Sequence, residues 1–379
     1  ITTDVDIEID NTSPTVSFTV TEPASGTYKA GEVVTITATY SDTNIGAGIF
    51  ADEKTTTPIT TANAPALTLA FGNVEAIGTV TCTEVNGRVL TYEYTIQGDT
   101  PVTGTNGDNG ILKITSLGIV YDAAGNIIES PTYPVTPSPQ ITADTILPTL
   151  EITSNKTSYT NAEEILYTFT FSENVTGFEA EDVTVANGTK GTFTEVSGNV
   201  YTLVVSTIDD TVYTETVSVS ANVCIDIAGN ENVVATPLTL DVDRKNPTVK
   251  VEPISCDWRN SAINVTITTE DEGAGFYTGN VYEYYLSTDS IIPTSGTWTP
   301  YTSGRDTITL DPGISGTYYL FVKQIKDNVT DTNKNMSTTN NYHIYSEYKF
   351  DYDNPTITVS PSLKTWTNTA VSTTITHND

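Results

Sequence analysis

The sequence has few basic residues, few histidines and cysteines, and no long apolar run. Its 379 residues include 16 Lys and Arg against 47 Asp and Glu, which gives a formal net charge of −31. Because phosphate binding needs clustered basic side chains, this balance excludes nucleic acid as a partner and disfavours anionic membrane surfaces. No apolar run approaches the roughly 18 residues of a membrane span. Direct membrane insertion of this segment is therefore not expected.

The residue types that most often carry catalysis are scarce too. The two histidines, His343 and His377, have no Cys or His partner at metal-ligand spacing. The three cysteines, Cys82, Cys224 and Cys256, form no disulfide framework and are expected to be small buried hydrophobic residues. None of the nucleophile, zinc-protease or phosphate-loop signatures occurs. These absences predict a protein that is not an enzyme.

Strand-forming residues dominate what is present. Roughly one residue in five is Thr, and Val, Ile and 21 Tyr add to them; these residue types suit pleated, half-buried strands. The hydrophobic fraction of 37% is enough to build cores, so disorder is not expected. In 28–42 and 159–173 apolar residues alternate with polar ones, which predicts strands with one buried face. No segment of useful length shows helical periodicity.

A Pro-Thr dipeptide recurs at 14, 148, 247 and 355, each time four residues after an Asp. The intervals of 134, 99 and 108 residues are the usual size of one domain. The chain begins with "ITTDVDIEID", without signal-peptide features, and stops at "TITHND", so we expect a mature segment of a longer protein. The predicted parts are the last strand of a preceding repeat (1–10), a first, second and third unit (11–144, 145–243 and 244–351), and the first strands of a fourth, incomplete unit (352–379).

Each unit has about seven short strand-like runs separated by Gly, Asn and Asp turns, such as the hairpin signal Asn86-Gly87. This pattern predicts an all-β chain of tandem immunoglobulin-like β-sandwiches. The linkers contain no Gly/Ser-rich tether, which favours an extended rod. The first unit is about 30 residues longer than the others, and we interpret 98–110 as an inserted surface loop.

Two segments carry a family resemblance. The text from "DTILPTLEITSNKTSYTNAEEILYTFTFSENVTGF" through "DIAGNENVVATPLTLDVD" resembles the bacterial Ig-like repeats of large cell-surface adhesins and surface-layer proteins. The text "DEGAGF…WTPYTSGRDTITLDPGISGTYYLFVKQIKDN" is similar to another such repeat class from Gram-positive surface proteins. The resemblance covers essentially the whole chain, although the first unit departs from it through its insertion. It implies an extracellular location on the bacterial cell surface.

The pattern D-x-A-G-N occurs at 122–126 and 226–230, and a polar variant, "DNVTDTNKN", occurs at 327–335. In a seven-strand sandwich this pattern lies in the F–G loop, before the last strand. The acids that end the second strand lie in the B–C loop, and the Asp before each Pro-Thr lies in the linker. Because strands alternate in direction, these three features are expected to converge at one pole of each unit, at the junction with the preceding unit.

Carboxylates packed together repel one another unless a cation lies among them, and an oxygen-only set without His or Cys suits Ca²⁺. In the resembling adhesin repeats, calcium bound by such acids stiffens the domain junctions. The alternative is that the Asp and Asn residues are ordinary turn residues that bond their own backbone. The predicted ligands of structural calcium are Asp10, Asp42, Asp122 and Asn126 in the first unit, Asp144, Glu173, Asp226 and Asn230 in the second, and Asp243, Asp271, Asp327 and Asn335 in the third.

The function that these features favour is a structural stalk segment of a bacterial cell-surface adhesin, stiffened by calcium at the domain junctions. Its partner is then an unknown host or cell-surface ligand. One alternative is a subunit of an S-layer or surface filament, whose partners are neighbouring copies in a lattice. A second alternative is a ligand-binding module that uses the insertion of the first unit, 98–110, as its recognition loop.

Overall fold

Strands form almost all the regular structure of the described residues. The computed structural model describes residues 9–42, 48–54, 56–98, 107–291, 296–338, 342–360 and 374–378. Within these residues the only helical segment is one 3-10 turn, Ala180–Asp182. In the same part of the chain, no helix is long and apolar enough to cross a membrane. The predicted all-β class is therefore confirmed.

The first unit contains two sheets that pack face to face. The sheet orders are β1-β3-β7-β6 and β2-β9-β8-β4-β5, where the strands are β1 (Thr15–Glu22), β2 (Gly26–Tyr28), β3 (Val33–Ser41), β4 (Leu67–Phe71), β5 (Val74–Glu75), β6 (Thr81–Asn86), β7 (Val89–Thr95), β8 (Gly110–Leu117) and β9 (Ile141–Ala143). Of the predicted insertion 98–110, residues 99–106 lie outside the described residues. The segment between β3 and β4 also carries extra length.

Alternation of apolar and polar residues explains why these segments are strands. In β3 the side chains of Val34, Ile36, Ala38 and Tyr40 are buried, and the residues between them are partly exposed. Because a slip of one residue would move this whole buried set to the surface, the buried face also determines the register of the strand.

The second unit has the sheet orders β10-β11-β14-β13 and β12-β15-β16. This is the A-B-E-D and C-F-G arrangement of immunoglobulin domains. Its core contains Tyr167, Phe169 and Phe171 of the second strand, all almost fully buried. The strands are β10 (Leu150–Ser154), β11 (Glu164–Phe171), β12 (Val183–Ala186), β13 (Thr189–Ser197), β14 (Val200–Ser206), β15 (Val212–Val219) and β16 (Leu238–Asp243).

The third unit pairs a three-stranded sheet, β17-β19-β22, with a five-stranded one, β18-β24-β23-β20-β21. Its strands are β17 (Thr248–Glu252), β18 (Cys256–Arg259), β19 (Ile263–Glu270), β20 (Glu283–Ser287), β21 (Thr299–Pro300), β22 (Arg305–Leu310), β23 (Gly316–Lys323) and β24 (Tyr342–Phe350). A separate hydrophobic core lies between these sheets, as in the other two units.

The two ends of the chain are only partly described. Of the predicted last strand of a preceding repeat (1–10), residues 1–8 lie outside the described residues. In the fourth unit, β25 (Thr356–Ser360) pairs with β26 (Thr374–Asn378) in antiparallel register, and 361–373 lie outside the described residues. The domain boundaries remain a prediction.

Candidate cation site at the domain junctions

In all three units the repeated Asp and Asn lie between the last two strands, in the F–G loop. In the second unit Asp226 is 3% exposed, and its Oδ1 accepts hydrogen bonds from the backbone N–H groups of Ala228 (2.8 Å) and Asn230 (2.9 Å). Gly229 has a φ of +88°, a left-handed conformation that favours glycine. The carboxylate of Asp226 therefore holds its own loop in a tight turn.

The Asn of the pattern ties this loop to the linker. Nδ2 of Asn230 donates to Oδ2 of Asp226 (2.8 Å) and to the carbonyl of Asp144 (2.9 Å). The same pair of bonds recurs in the other units, from Asn126 to Asp122 and Asp10 and from Asn335 to Asp327 and Asp243. Because the amide nitrogen donates both hydrogens, only Oδ1 of each Asn could bind a cation.

Acids from three separate loops come together in the first and second units. In the second unit, one carboxylate oxygen from each of Asp144, Glu173 and Asp226 lies within 4.8 Å of the other two. In the first unit the same holds for Asp10, Asp42 and Asp122. The structure thus places the predicted carboxylates of these two units in clusters at the N-terminal pole.

The carboxylates in the cluster of the second unit repel one another. Burial, and then the charges of Asp144 and Asp226, raise the pKa of Glu173 to about 7. Burial also raises the pKa of Asp144, with a further contribution from Asp226. Among the described residues no group donates a hydrogen bond to the side chain of Glu173. A cation among these oxygens would remove the repulsion between them.

The third unit differs from the other two. Asp243, Asp271 and Asp327 lie close enough for their charges to interact, and burial with these charges raises the pKa of Asp271 to about 6 and that of Asp327 to about 7. However, they do not form a group within 4.8 Å. Asp243 instead accepts the N–H groups of Ala274 (2.8 Å) and Lys245 (3.1 Å).

Asp271 is the least satisfied acid of the third unit. Both its oxygens are buried and accept no hydrogen bond of normal geometry from the described residues, although the nearby N–H of Gly275 lowers its pKa. A buried carboxylate in this position fits a cation. Oδ1 of the predicted ligand Asn335 accepts a hydrogen bond from Nδ2 of Asn161 in the second unit (2.9 Å).

The F–G loops also contact the preceding unit, which the sequence did not predict. Nζ of Lys29 in the first unit donates to the carbonyl of Gly229 in the second (2.9 Å). At the next junction, Asp331 of the third unit accepts hydrogen bonds from the side chains of Lys156 and Thr160 and from the N–H of Asn161 (3.0 Å). The one sequence feature that could have indicated this contact is the length of "DNVTDTNKN", which is longer than D-x-A-G-N and contains Asp331.

The structure also places the two histidines and the three cysteines. Nε2 of His343 lies 2.9 Å from Oγ of Ser337, and burial lowers the pKa of the imidazole. His377 lies in the exposed strand β26. Cys224 is buried, as expected, whereas Cys82 and Cys256 are partly exposed.

Comparison with known proteins identifies the second unit. Residues 144–242 match the sequence model of a family described as "bacterial Ig-like domain". No curated protein matches the chain. The domain match agrees with the strand order observed for these residues.

Several solved structures are similar to the chain at low identity. They include invasin, a bacterial integrin-binding protein (13% identity, TM-score 0.31, 92% of this chain and 62% of invasin), the adhesin InvE of Yersinia pseudotuberculosis (13%, 0.21, 61% and 58%) and the D1–D4 ectodomain fragment of ICAM-5 (11%, 0.27, 88% and 75%). The chain thus spans less than two thirds of the first two structures.

Proposed function

Since residues 144–242 are a bacterial Ig-like domain, we propose that the chain is a structural stalk segment of a bacterial cell-surface adhesin, and that calcium stiffens its domain junctions. The observation that carries this proposal is the position of the acid clusters. In the first and second units, three carboxylates from the linker, the B–C loop and the F–G loop gather within 4.8 Å. A cation bound there links the linker to two loops of the domain that comes after it.

The residues present fit calcium. Asp144, Glu173 and Asp226 offer only oxygen atoms, and Ca²⁺ takes six to eight oxygen ligands in flexible geometry. Oδ1 of Asn230 is a further available oxygen beside them. When bound, calcium supplies a positive charge that balances the negative charge of these three carboxylates, of which Asp226 is buried and the other two are partly buried. The chain's own contribution is to bring the three acids together, through the hydrogen bonds of Asp226 and Asn230.

Calcium uptake tests the proposal directly. We choose Glu173→Gln, because Glu173 shapes no loop through hydrogen bonds, whereas Asp226→Ala would also remove the three bonds that hold the F–G loop. Glu151→Gln, an exposed residue of β10, is the matched control. Isothermal titration should show calcium binding with a Kd of roughly 10⁻⁴–10⁻³ M, typical of extracellular modules, with one site weakened or lost in Glu173→Gln only.

Small-angle scattering tests the stiffening. We expect chelation to increase bending of the unmodified chain and of Glu151→Gln, and to change Glu173→Gln much less. A chain that binds no calcium, or whose dimensions are the same with and without chelator, would show that the acids only shape turns.

The stalk and the lattice subunit differ in self-assembly. A lattice subunit forms ordered arrays when the purified chain is concentrated, whereas a stalk segment stays monomeric because its contacts are made along the chain. We expect electron microscopy of the purified chain with calcium to show separate molecules. Ordered two-dimensional arrays would favour the surface-layer alternative.

A further inference from the structure

The same main-chain hydrogen bond is present at the C-terminal end of each of the three units. The N–H of the linker Asp donates to a carbonyl on the segment that runs parallel to the last strand. The three bonds are Asp144 to Tyr28 (2.9 Å), Asp243 to Thr160 (2.9 Å) and Asp351 to Arg259 (2.8 Å). The third unit therefore ends with the same local geometry as the first two.

The linker after this bond repeats as well. In each case Oδ1 of the linker Asp accepts the N–H two residues further on. The three bonds are from Ile146 to Asp144 (3.1 Å), from Lys245 to Asp243 (3.1 Å) and from Asp353 to Asp351 (3.0 Å). The linker between the third and fourth units thus has the same Asp hydrogen bond as the two earlier linkers.

At the first two junctions, the F–G loop of the next unit is contacted by a residue beside the main-chain hydrogen bond described above. This residue either provides the accepting carbonyl or directly follows the residue that does. Lys29, directly after Tyr28, donates to the carbonyl of Gly229. Thr160 itself donates to the carboxylate of Asp331. In both cases a donor from the earlier unit reaches an oxygen of the later unit's F–G loop.

At the third unit this position is occupied by Arg259, next to Trp258. The indole of Trp258 is 61% exposed, and Nε of Arg259 is buried but has no hydrogen-bond partner among the described residues. Beside them lies a cleft of about 510 Å³ lined by Trp258, Ser315, Asp351 and Asp353. We call Trp258, Arg259 and this cleft the Trp258 surface.

We propose that the Trp258 surface is the docking site for the F–G loop of a complete fourth Ig-like unit. Of a fourth unit the structure describes two strands, β25 and β26, and no F–G loop of that unit is among the described residues. Arg259 donates to a carbonyl or carboxylate oxygen of the incoming loop, as Lys29 and Thr160 do at their junctions. Trp258 packs against the same loop and loses its exposure.

The test supplies a complete fourth unit from the chain's own sequence. Residues 1–354 are joined to a second copy of 148–243, so that a second D-I-A-G-N loop comes after the third unit. Trp298→Phe leaves Trp258 as the sole Trp of the fusion. The reference is the 379-residue chain with Trp298→Phe and Trp366→Tyr. Acrylamide quenching then reports the exposure of Trp258 alone.

We expect quenching of Trp258 to be severalfold weaker in the fusion than in the reference chain. Arg259→Ala should restore strong quenching in the fusion, whereas Arg305→Ala, which removes an exposed Arg of β22, should not. Equal quenching in the fusion and the reference chain, with the added unit folded by calorimetry, overturns the proposal. So does dimerisation of the 379-residue chain that Arg259→Ala abolishes, because the occupant is then a second copy.

A second measurement needs no fusion. If Trp258 serves a neighbouring domain, Trp258→Ala should leave the melting temperature of the third unit in the 379-residue chain unchanged within about 2 °C, as for other surface substitutions. A drop of about 5 °C or more would show that Trp258 stabilises its own unit, and would overturn the proposal.

Discussion

The carboxylate of Glu215 lies inside the second unit, where the sequence offers no obvious reason for an acid. Its Oε1 accepts a hydrogen bond of 2.7 Å from the hydroxyl of Tyr167, and its Oε2 has no partner among the described residues. Burial raises the pKa of Glu215, and the hydrogen bond from Tyr167 offsets part of that effect. The strand period places Glu215 on the same buried face as Val217 and Val219.

Glu215→Gln should change how the stability of the second unit depends on pH. Because the folded pKa lies above the unfolded one, stability from the protonated acid is present below about pH 4.3 and is lost as pH rises through the folded pKa. The neutral Gln does not have this loss, which amounts to about 1.4 kcal/mol for every pH unit between the two pKa values. Urea unfolding at pH 4.5 and pH 8 measures it.

Glu195→Gln, an exposed acid of β13, is the control for that experiment and should keep the pH dependence of the unmodified protein. If Glu215→Gln also keeps it, the buried carboxylate does not couple folding to pH.

Substitution of Asn230 tests whether its side chain acts as a hydrogen-bond donor or as a cation ligand. In Asn230→Asp the new carboxylate cannot donate to Asp226 and Asp144, and it lies beside the carboxylate of Asp226. We expect a loss of about 1–3 kcal/mol of stability for the second unit in chelator, measured by thermal unfolding. Asn222→Asp, at an exposed position of the same loop, should have little effect. An unchanged stability for Asn230→Asp would show that the hydrogen bonds from the Asn230 amide to Asp226 and Asp144 do not stabilise the second unit.

At the scale of single elements, the F–G loops of the second and third units hold the preceding unit in different ways. The short loop of the second unit uses one backbone carbonyl, that of Gly229, and stands beside a compact acid cluster. The longer loop of the third unit adds Asp331, which bonds three groups of the second unit. The first junction is therefore expected to respond to cations more strongly than the second, which Asp331 also holds.

Asp331→Asn should loosen the second junction whether or not calcium is present. It removes the negative charge that faces Lys156, and hydrogen bonds to charged groups contribute about 1.5–3 kcal/mol each. Hydrogen exchange should become faster in 156–163 and 327–335, where the N–H of Thr330 is bonded to the carbonyl of Tyr159 (2.8 Å). Exchange in 226–230 should not change.

The same junction should weaken in acid. Burial alone would raise the pKa of Asp331, but the hydrogen bonds from Lys156, Thr160 and Asn161 outweigh it and lower the pKa. The contribution of a carboxylate with a lowered pKa is present above its unfolded pKa and disappears as pH falls through the folded one. Asp289→Asn, an exposed acid of the same unit, should leave exchange at the junction unchanged. Equal rates of hydrogen exchange at the junction in Asp331→Asn and Asp289→Asn would show that Asp331 does not hold the second and third units together.

At the scale of the whole molecule, three separate cores are joined through short linkers and a few polar contacts. Each core draws its buried residues from its own unit. The units are therefore expected to unfold one at a time under load, because no shared core couples them. The net charge of −31 adds repulsion along the chain, which favours extension over collapse.

Stretching single molecules tests this organisation and the predicted boundaries. With intervals of 134, 99 and 108 residues, and about 3.5 Å per extended residue, the three units should release contour lengths of about 47, 35 and 38 nm, less the folded length of each domain. Calcium should raise the unfolding force of the first and second units more than that of the third. A single unfolding event, or increments that do not match the repeat, would refute independent domains.

The sequence alone was enough to predict the strands, the all-β class and the pole at which the acids meet. Strand patterning is local: residues such as Val34 and Ile36 alternate with Thr whatever the rest of the chain contains. The recurring Asp, Pro and D-x-A-G-N positions then placed Asp144, Glu173 and Asp226 at one end of a sandwich. The match of 144–242 to a bacterial Ig-like domain agrees with the predicted fold class.

Tertiary structure alone decided which partners these residues have. Lys29 meets Gly229 and Lys156 meets Asp331 across large sequence separations, and such contacts depend on the angle and rotation between domains, which no local pattern encodes. The compactness of each acid cluster likewise depends on side-chain packing within a few ångströms, so the third unit departs from the other two although its sequence offers an acid at each of the three corresponding positions. Periodicity determines which face a residue is on, and only packing determines what it touches there.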